Sequence, residues 1–248
     1  MFSSPSQSRT ASMSHLPDDG RTQSDVGLHS NSACLKRQVS KLFAAGVFCL
    51  LSFPAVVTAQ QFCTYQTFTW DTLQKKSVDW TRVEKPRGLL TEAEVDAYTG
   101  CSVCEQDQRR IAIPPLAPFR VCHLLAPRLE RVLRRLLQDG EPIVEIIGYR
   151  VGKTRGGVDA AGLRTEFSNH AYGVAIDVNP DSNGLYDNCI EFGPGCRLIR
   201  GGTWDPRQAG SLRADGAIVS GLESIGLMWG GEIDGWQKDF MHFSITGY

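Results

Sequence analysis

Ser168-Asn169-His170-Ala171-Tyr172-Gly173-Val174-Ala175-Ile176-Asp177-Val178-Asn179 is the stretch on which the reading of this chain turns. Its second half alternates. Successive side chains of a strand point to opposite faces, so Val174, Ile176 and Val178 share one face while Ala175 and Asp177 share the other. The apolar face predicts a core, and Asp177 is then presented on the opposite, open face. His170 stands just ahead of the strand. Gly173 is free to take backbone conformations closed to other residues, which lets the imidazole swing over the face of Asp177.

The end of the chain repeats the pattern. In Asp239-Phe240-Met241-His242-Phe243-Ser244-Ile245, Met241, Phe243 and Ile245 form an apolar set and His242 projects the other way. If the two strands pair, His170, Asp177 and His242 converge. Two histidines and one carboxylate, with the fourth position left to water, make a catalytic zinc site. Asp239 lies three residues before His242. It is placed to reach the bound water without ligating the metal. His123 has no such partner pattern and reads as a surface histidine.

Around these segments the pattern is mixed. Pro127 suits the first turn of a helix. Leu129, Val132, Leu133, Leu136 and Leu137 then recur at helical spacing as far as Asp139-Gly140, with Arg128, Arg131, Arg134 and Arg135 on a solvated face. Ile143–Ile147 reads as a buried strand that runs into Gly148-Tyr149-Arg150. Residues 214–225 read as a helix stopped by Gly226. Upstream, Thr91-Glu92-Ala93-Glu94 is a capping box that opens a short helix toward Tyr98. Residues 113–118 read as a stiff extended linker. Helices packed on a small antiparallel sheet give an α+β fold class.

Composition sets the context. Lys and Arg total 26 against 27 for Asp and Glu, and the formal net charge of -1 gives no reason to expect nucleic acid as a partner. Residues 1–33 are polar and read as a disordered lead. Residues 34–59 join a basic cluster (Lys36, Arg37, Lys41) to an apolar run and then to Val57-Thr58-Ala59. That is the layout of a signal peptide. The apolar run is about 16 residues, short for a span of roughly 20, though an uncleaved anchor is the other reading. Contact with a membrane is expected only through this segment, and export to the periplasm or the cell exterior follows. Cys63, Cys101, Cys104, Cys122, Cys189 and Cys196 form an even set beyond it, which in an oxidising compartment reads as disulfides, with Cys189 and Cys196 the favoured pair. A metal-binding thiol pair at Cys101-Ser102-Val103-Cys104 is the weaker reading. The expected division is a Cys-containing extension over residues 60–118 and a metal-bearing domain over residues 119–248, acting as a monomer.

Ser168-x-His170-x-x-Gly173-x-Ala175-x-Asp177 resembles the motif of the zinc D-Ala-D-Ala carboxypeptidases, a family that includes VanY-like carboxypeptidases and L-alanyl-D-glutamate endopeptidases. Asp239-x-x-His242-Phe243 resembles the family's second motif, preceded here by Trp229-Gly230-Gly231, and Gly148-Tyr149-Arg150 resembles its upstream G-Y-R. The resemblance covers about residues 125–248. It implies a hedgehog-like peptidase fold with a single zinc site held by His170, Asp177 and His242. It further implies Asp239 as general base and then acid, and Arg150 as contact for the substrate and the developing oxyanion. Ser168, Tyr149 and Trp229 are candidate substrate-binding residues. The other readings of these three are a turn for Ser168 and packing for Tyr149 and Trp229. Trp236 is open to the same two readings as Trp229. The acid before the last histidine is commonly Glu in this family, and Asp is the form of the endopeptidase branch. Ser244 stands where the family has Glu, and the insert over residues 181–206 is an addition. The implied activity is zinc-dependent hydrolysis of peptide bonds in peptidoglycan stem peptides. The competing reading is an exported, non-catalytic cell-wall binding protein of the same fold.

Overall fold

The alternating runs around His170 and His242 become neighbouring strands. The computed structural model describes residues 61–247; the lead over residues 1–33 and the signal peptide or anchor over residues 34–59 lie outside the described residues. In chain order the strands before the first helix are β1 (Phe62–Asp71), β2 (Lys76–Pro86), β3 (Gln108–Ile111) and β4 (Phe119–Cys122). Helix α1 (Ala126–Gln138) follows, then β5 (Ile146–Ile147), β6 (Val151–Val158), β7 (Arg164–Phe167), β8 (Ala175–Val178), β9 (Leu185–Asp187) and β10 (Arg197–Arg200). Helix α2 (Ala217–Glu223), β11 (Met228–Trp229), β12 (Gln237–Asp239) and β13 (His242–Ser244) complete the chain. The architecture is mixed α and β, with small sheets and two α-helices among the described residues.

One sheet has the order β11-β13-β8-β5 and carries the two histidine segments. The leucine repeat forms α1 as its spacing predicts. Leu129, Leu133 and Leu136 are buried with Ile218, Val219 and Leu222 of α2 against Ile176, Val178 and Phe243 of that sheet. Each such side chain withdrawn from water contributes about 1.5–3 kcal/mol, so this cluster fixes where β8 and β13 lie. The four helix arginines are exposed, as a solvated face requires. No helix among the described residues is long and apolar enough to cross a membrane.

Several local expectations change. Asp177 is not on an open face: it is only 2% exposed, because His170, His242 and Arg150 lie over it. The strand over Ile143–Ile147 shrinks to Ile146–Ile147. Ahead of it, Val144 and Glu145 donate their N–H groups to the side-chain oxygen of Asn179 rather than to a ladder. The capping box forms, with Glu94 accepting from the backbone and hydroxyl of Thr91, but it opens only a 3-10 turn over Glu92–Glu94. A bridge from Val95 to Ser102 then carries the chain out of helical geometry. The segment 113–118 is a turn between the antiparallel β3 and β4, with Ile113 and Leu116 buried, and not an extended linker.

The stretch before residue 119 is joined to the rest at several points. Strand β1 runs parallel to β6 within the order β2-β1-β6-β7, and β3 pairs with β4. The disulfides are Cys63–Cys104, Cys101–Cys122 and Cys189–Cys196. The last is the pair that the short loop favours. Cys101 and Cys104 each bond a different partner, which removes the thiol-metal reading of that motif. Three disulfides suit an extracellular or periplasmic protein.

A buried ionic group braces the extension. Glu94 is 5% exposed and accepts hydrogen bonds from the Tyr65 hydroxyl and, at 2.6 Å, from the Lys85 ammonium. Burial pushes the Glu94 carboxyl up, but Lys85, Thr91 and Tyr65 outweigh it and hold the pKa at about 2. A depressed carboxylate pKa contributes stability above its unfolded value near 4.3, and that contribution fades as pH falls toward the folded value. Glu94→Gln is therefore expected to cost on the order of 2 kcal/mol at pH 7. The gap in melting temperature from the wild type should close as pH drops from about 5 to about 2; a gap independent of pH would show that Glu94 is not held ionised.

Candidate metal centre

Backbone pairing brings the ligands together. His242 of β13 is the register partner of Asp177 of β8, and on the other side Asp177 pairs with Ile147 of β5. His170 sits on a single 3-10 turn, Asn169–Tyr172, which ends at Gly173 with φ 68°. A β-carbon at Gly173 would lie 2.0 Å from Gln108 Oε1 and 2.5 Å from the Cys122 nitrogen, so both the left-handed backbone and the close approach demand glycine here. That turn carries the His170 imidazole over Asp177, as the spacing predicts.

The three candidate ligand atoms face each other. His170 Nε2 is 3.0 Å from Asp177 Oδ1 and 3.3 Å from His242 Nδ1, and His242 Nδ1 is 3.1 Å from Asp177 Oδ1. All three residues are buried. A tetrahedral zinc with bonds of 2.0–2.1 Å sets its ligands about 3.3 Å apart, so this triangle has the right size. The chemistry of the donors agrees. His170 Nδ1 donates to the Gly148 carbonyl at 2.9 Å, which leaves Nε2 as a lone pair. Three heteroatoms thus converge while sharing at most the one proton of His242 Nδ1. Such a cluster suits a cation.

Electrostatics agree for His170 and Asp177. Burial pushes the His170 imidazole down, toward the neutral form that a metal ligand needs, against the pull of Asp177. Burial also opposes the Asp177 charge, but His170 and His242 outweigh it and hold the carboxyl well below its usual range. Burial disfavours the charged form of His242 too, but hydrogen bonding to Asp177 and its charge prevail and raise that pKa. Arg150 adds a further positive group, with one terminal nitrogen 3.2 Å from Asp177 Oδ2.

Asp239 ends β12, in the sheet β10-β9-β12, three residues before His242. Its backbone nitrogen donates to the Gly230 carbonyl, and Oδ1 is shielded from solvent with no hydrogen-bond partner. Burial pushes its pKa up to about 6, with Asp177 adding to the rise while His242, Arg150 and Arg200 pull it down. A carboxyl poised near neutrality is suited to proton transfer. The Nε of Arg150 is likewise buried and unpartnered.

The remaining candidates divide. The Ser168 hydroxyl is buried without a partner, while the Ser168 backbone shapes the turn, accepting from Ala171 at 2.8 Å. The Tyr149 hydroxyl donates to the Val103 carbonyl at 2.6 Å and packs in the cluster of Cys63 and Tyr65, so it is not brought to the ligands. Trp229 is buried in the core. Its indole donates to the Phe240 carbonyl at 2.8 Å, which braces the residue after Asp239 and leaves no ring face for substrate. Trp236 is 69% exposed. Two contributions escaped the sequence reading. The Gly148 carbonyl that orients His170 is a backbone atom and leaves no residue-type signal. The insert supplies β9, which pairs directly with β12, and Trp204, whose ring stacks on Phe240 at 3.9 Å between centroids.

Residues 161–245 match the model of a family described as D-alanyl-D-alanine carboxypeptidase. This span holds His170, Asp177, Asp239 and His242, while Arg150 precedes it. No curated protein and no solved structure matches the chain. All three candidate ligands and the neighbouring acid thus lie within the one segment, residues 161–245, that is similar to the D-alanyl-D-alanine carboxypeptidase family.

Proposed function

We propose that this protein is an exported zinc peptidase that hydrolyses peptide bonds in peptidoglycan stem peptides, as a D-Ala-D-Ala carboxypeptidase or an L-Ala-D-Glu endopeptidase. The observation that carries the reading is the buried convergence of His170, Asp177 and His242, all three within the span that matches the family. Their ligand atoms are His170 Nε2, Asp177 Oδ1 and His242 Nδ1, within 4.8 Å of one another. A bound zinc supplies Lewis acidity, lowering the pKa of water toward neutrality and polarising a carbonyl.

The chain's own groups do the rest. The Gly148 carbonyl fixes the tautomer and tilt of His170. Asp239, at about 6, takes the proton of the attacking water and returns it to the leaving amine. Arg150 holds Asp177 in place through one nitrogen and has Nε free of partners, so it can meet the developing oxyanion or a substrate carboxylate. The fold assigned with this activity is the hedgehog-like peptidase fold with one zinc per chain. Export rests on the signal-like residues 34–59 together with the disulfides.

Digestion of purified stem peptide, read by mass spectrometry, tests the whole reading: chelator-sensitive release of terminal D-Ala or cleavage after L-Ala supports it, and an intact peptide with zinc-loaded protein refutes it. Asp239→Asn should keep its zinc and lose at least about 100-fold in kcat, since it removes the proton acceptor alone; an active, metal-replete variant would dismiss Asp239 as the base. His170→Ala should weaken zinc binding itself by at least about 100-fold in a metal titration, because one of the three protein ligands is lost. Unaltered zinc affinity would rule His170 out as a ligand.

A further inference from the structure

The insert brings a cation to the row of Asp239. Strand β9 lies between β12 and β10, and Leu185 is the register partner of both Asp239 on one side and Arg200 on the other. Residues in register on adjacent antiparallel strands point to the same face. Arg200, Leu185 and Asp239 therefore form one row on one face, with Arg200 two strand spacings, roughly 10 Å, from Asp239.

A bulge makes this so. Leu198 pairs with Tyr186, but the next partner, Leu185, is met by Arg200 and not by Ile199. The extra residue Ile199 shifts the register by one. Without it an isoleucine would occupy the row of Asp239. Bulges of this kind re-aim side chains and gather next to functional sites. The hairpin that holds the bulge is closed by Cys189–Cys196, and Arg197 of the same strand is tied to Asp187 at 2.8 Å. Arg200, by contrast, is exposed and joins no ion pair among the described residues. Gly201, with φ 77°, and Gly202 follow it, and β-carbons there would lie 2.6 Å from the Pro180 carbonyl and 1.7 Å from that of Asp181. The backbone after Arg200 is thus seated tightly. Its charge reaches Asp239, where it counters the effect of burial.

Two cations therefore flank Asp239, and they differ. Arg150 is engaged by Asp177, whereas Arg200 has its charge unspent. We infer that Arg200 is a specificity-determining residue that binds a free carboxylate of the peptide substrate beside the scissile bond. This rests on the peptidase reading above. A guanidinium is fitted to a carboxylate because its planar fork donates two parallel hydrogen bonds, which a carboxamide cannot accept in the same way. The carboxylate comes either from the C-terminal residue or from the free carboxyl of a glutamate joined through its other carboxyl.

The test uses zinc-loaded protein and two pairs of stem peptides. In one pair the C-terminus is acid or amide, and in the other the glutamate carboxyl is acid or amide. Each peptide is made both with its natural scissile bond and with that amide reduced to CH2–NH, so that calorimetry reads binding without turnover. The wild type should prefer the acid at least about 10-fold in one pair, and that pair names the source. Arg200→Gln should cut the preference to about 2-fold or less, with the loss in KM rather than kcat, and Arg200→Lys should restore part of it. An acid preference unchanged in Arg200→Gln, or its absence in the wild type, overturns the inference while cleavage of the natural peptides leaves the peptidase reading standing. Failure of the wild type to cleave any natural peptide sinks that reading instead, and an Arg200-dependent acid preference among the reduced peptides would still uphold Arg200 as a carboxylate site.

Discussion

Three polar side chains held together away from water are the constraint on which this structure rests. Bringing His170, Asp177 and His242 under the surface forfeits their hydration, and a buried carboxylate is costly unless it is paired. The Asp177 carboxylate is paired three ways, by the two histidines and by Arg150, and its backbone is held by the strands on both sides. The helices that cover the opposite face of β8 and β13 contribute the apolar burial that offsets this cost. The candidate metal centre and the main core are thus two faces of one small sheet.

The acid beside that centre is positioned by a different part of the chain. Asp239 is followed by Phe240, whose ring stacks on Trp204 and whose carbonyl is held by the Trp229 indole. Tyr186 and Phe192 pack edge-on against the same ring. Trp204, Tyr186 and Phe192 all come from the insert. Its β9 supplies the ladder to β12, and its disulfide closes the hairpin on the far side. The insert is therefore a structural partner of the site, and it carries Arg200 into the same row as Asp239.

The Cys-containing extension serves the centre from behind. Gln108 and Cys122 sit where a side chain at Gly173 would have to go, so the turn that aims His170 is packed against β3 and β4. Cys101–Cys122 ties β4 to the segment ahead of β3, and Cys63–Cys104 ties that segment to β1. The backbone N–H of Tyr149 donates to the Arg120 carbonyl at 2.7 Å, which sets Gly148 and its carbonyl beside His170. Contacts this long in sequence separation hold the imidazole in one orientation.

The sequence alone determined the parts that follow from periodicity and residue type. Alternation located β8 and β13, leucine spacing located α1, and the rare meeting of two histidines with an aspartate on compatible faces marked the cluster of His170, Asp177 and His242. These signals are local, because strand and helix geometry set which side chains share a face within a few residues. What remained for the tertiary structure was everything that depends on chain segments far apart. Burial of Asp177 on a face expected to be open follows from the elements packed over it. The short β5 follows from Asn179 capturing the backbone ahead of it. The partners of Cys101 and Cys104, the donation from His170 to a backbone carbonyl, and the bulge that places Arg200 in register with Asp239 follow from strand order. Strand order and register are decided by which pairings bury the most apolar surface and satisfy the most backbone groups at once. No single stretch of the sequence contains that information.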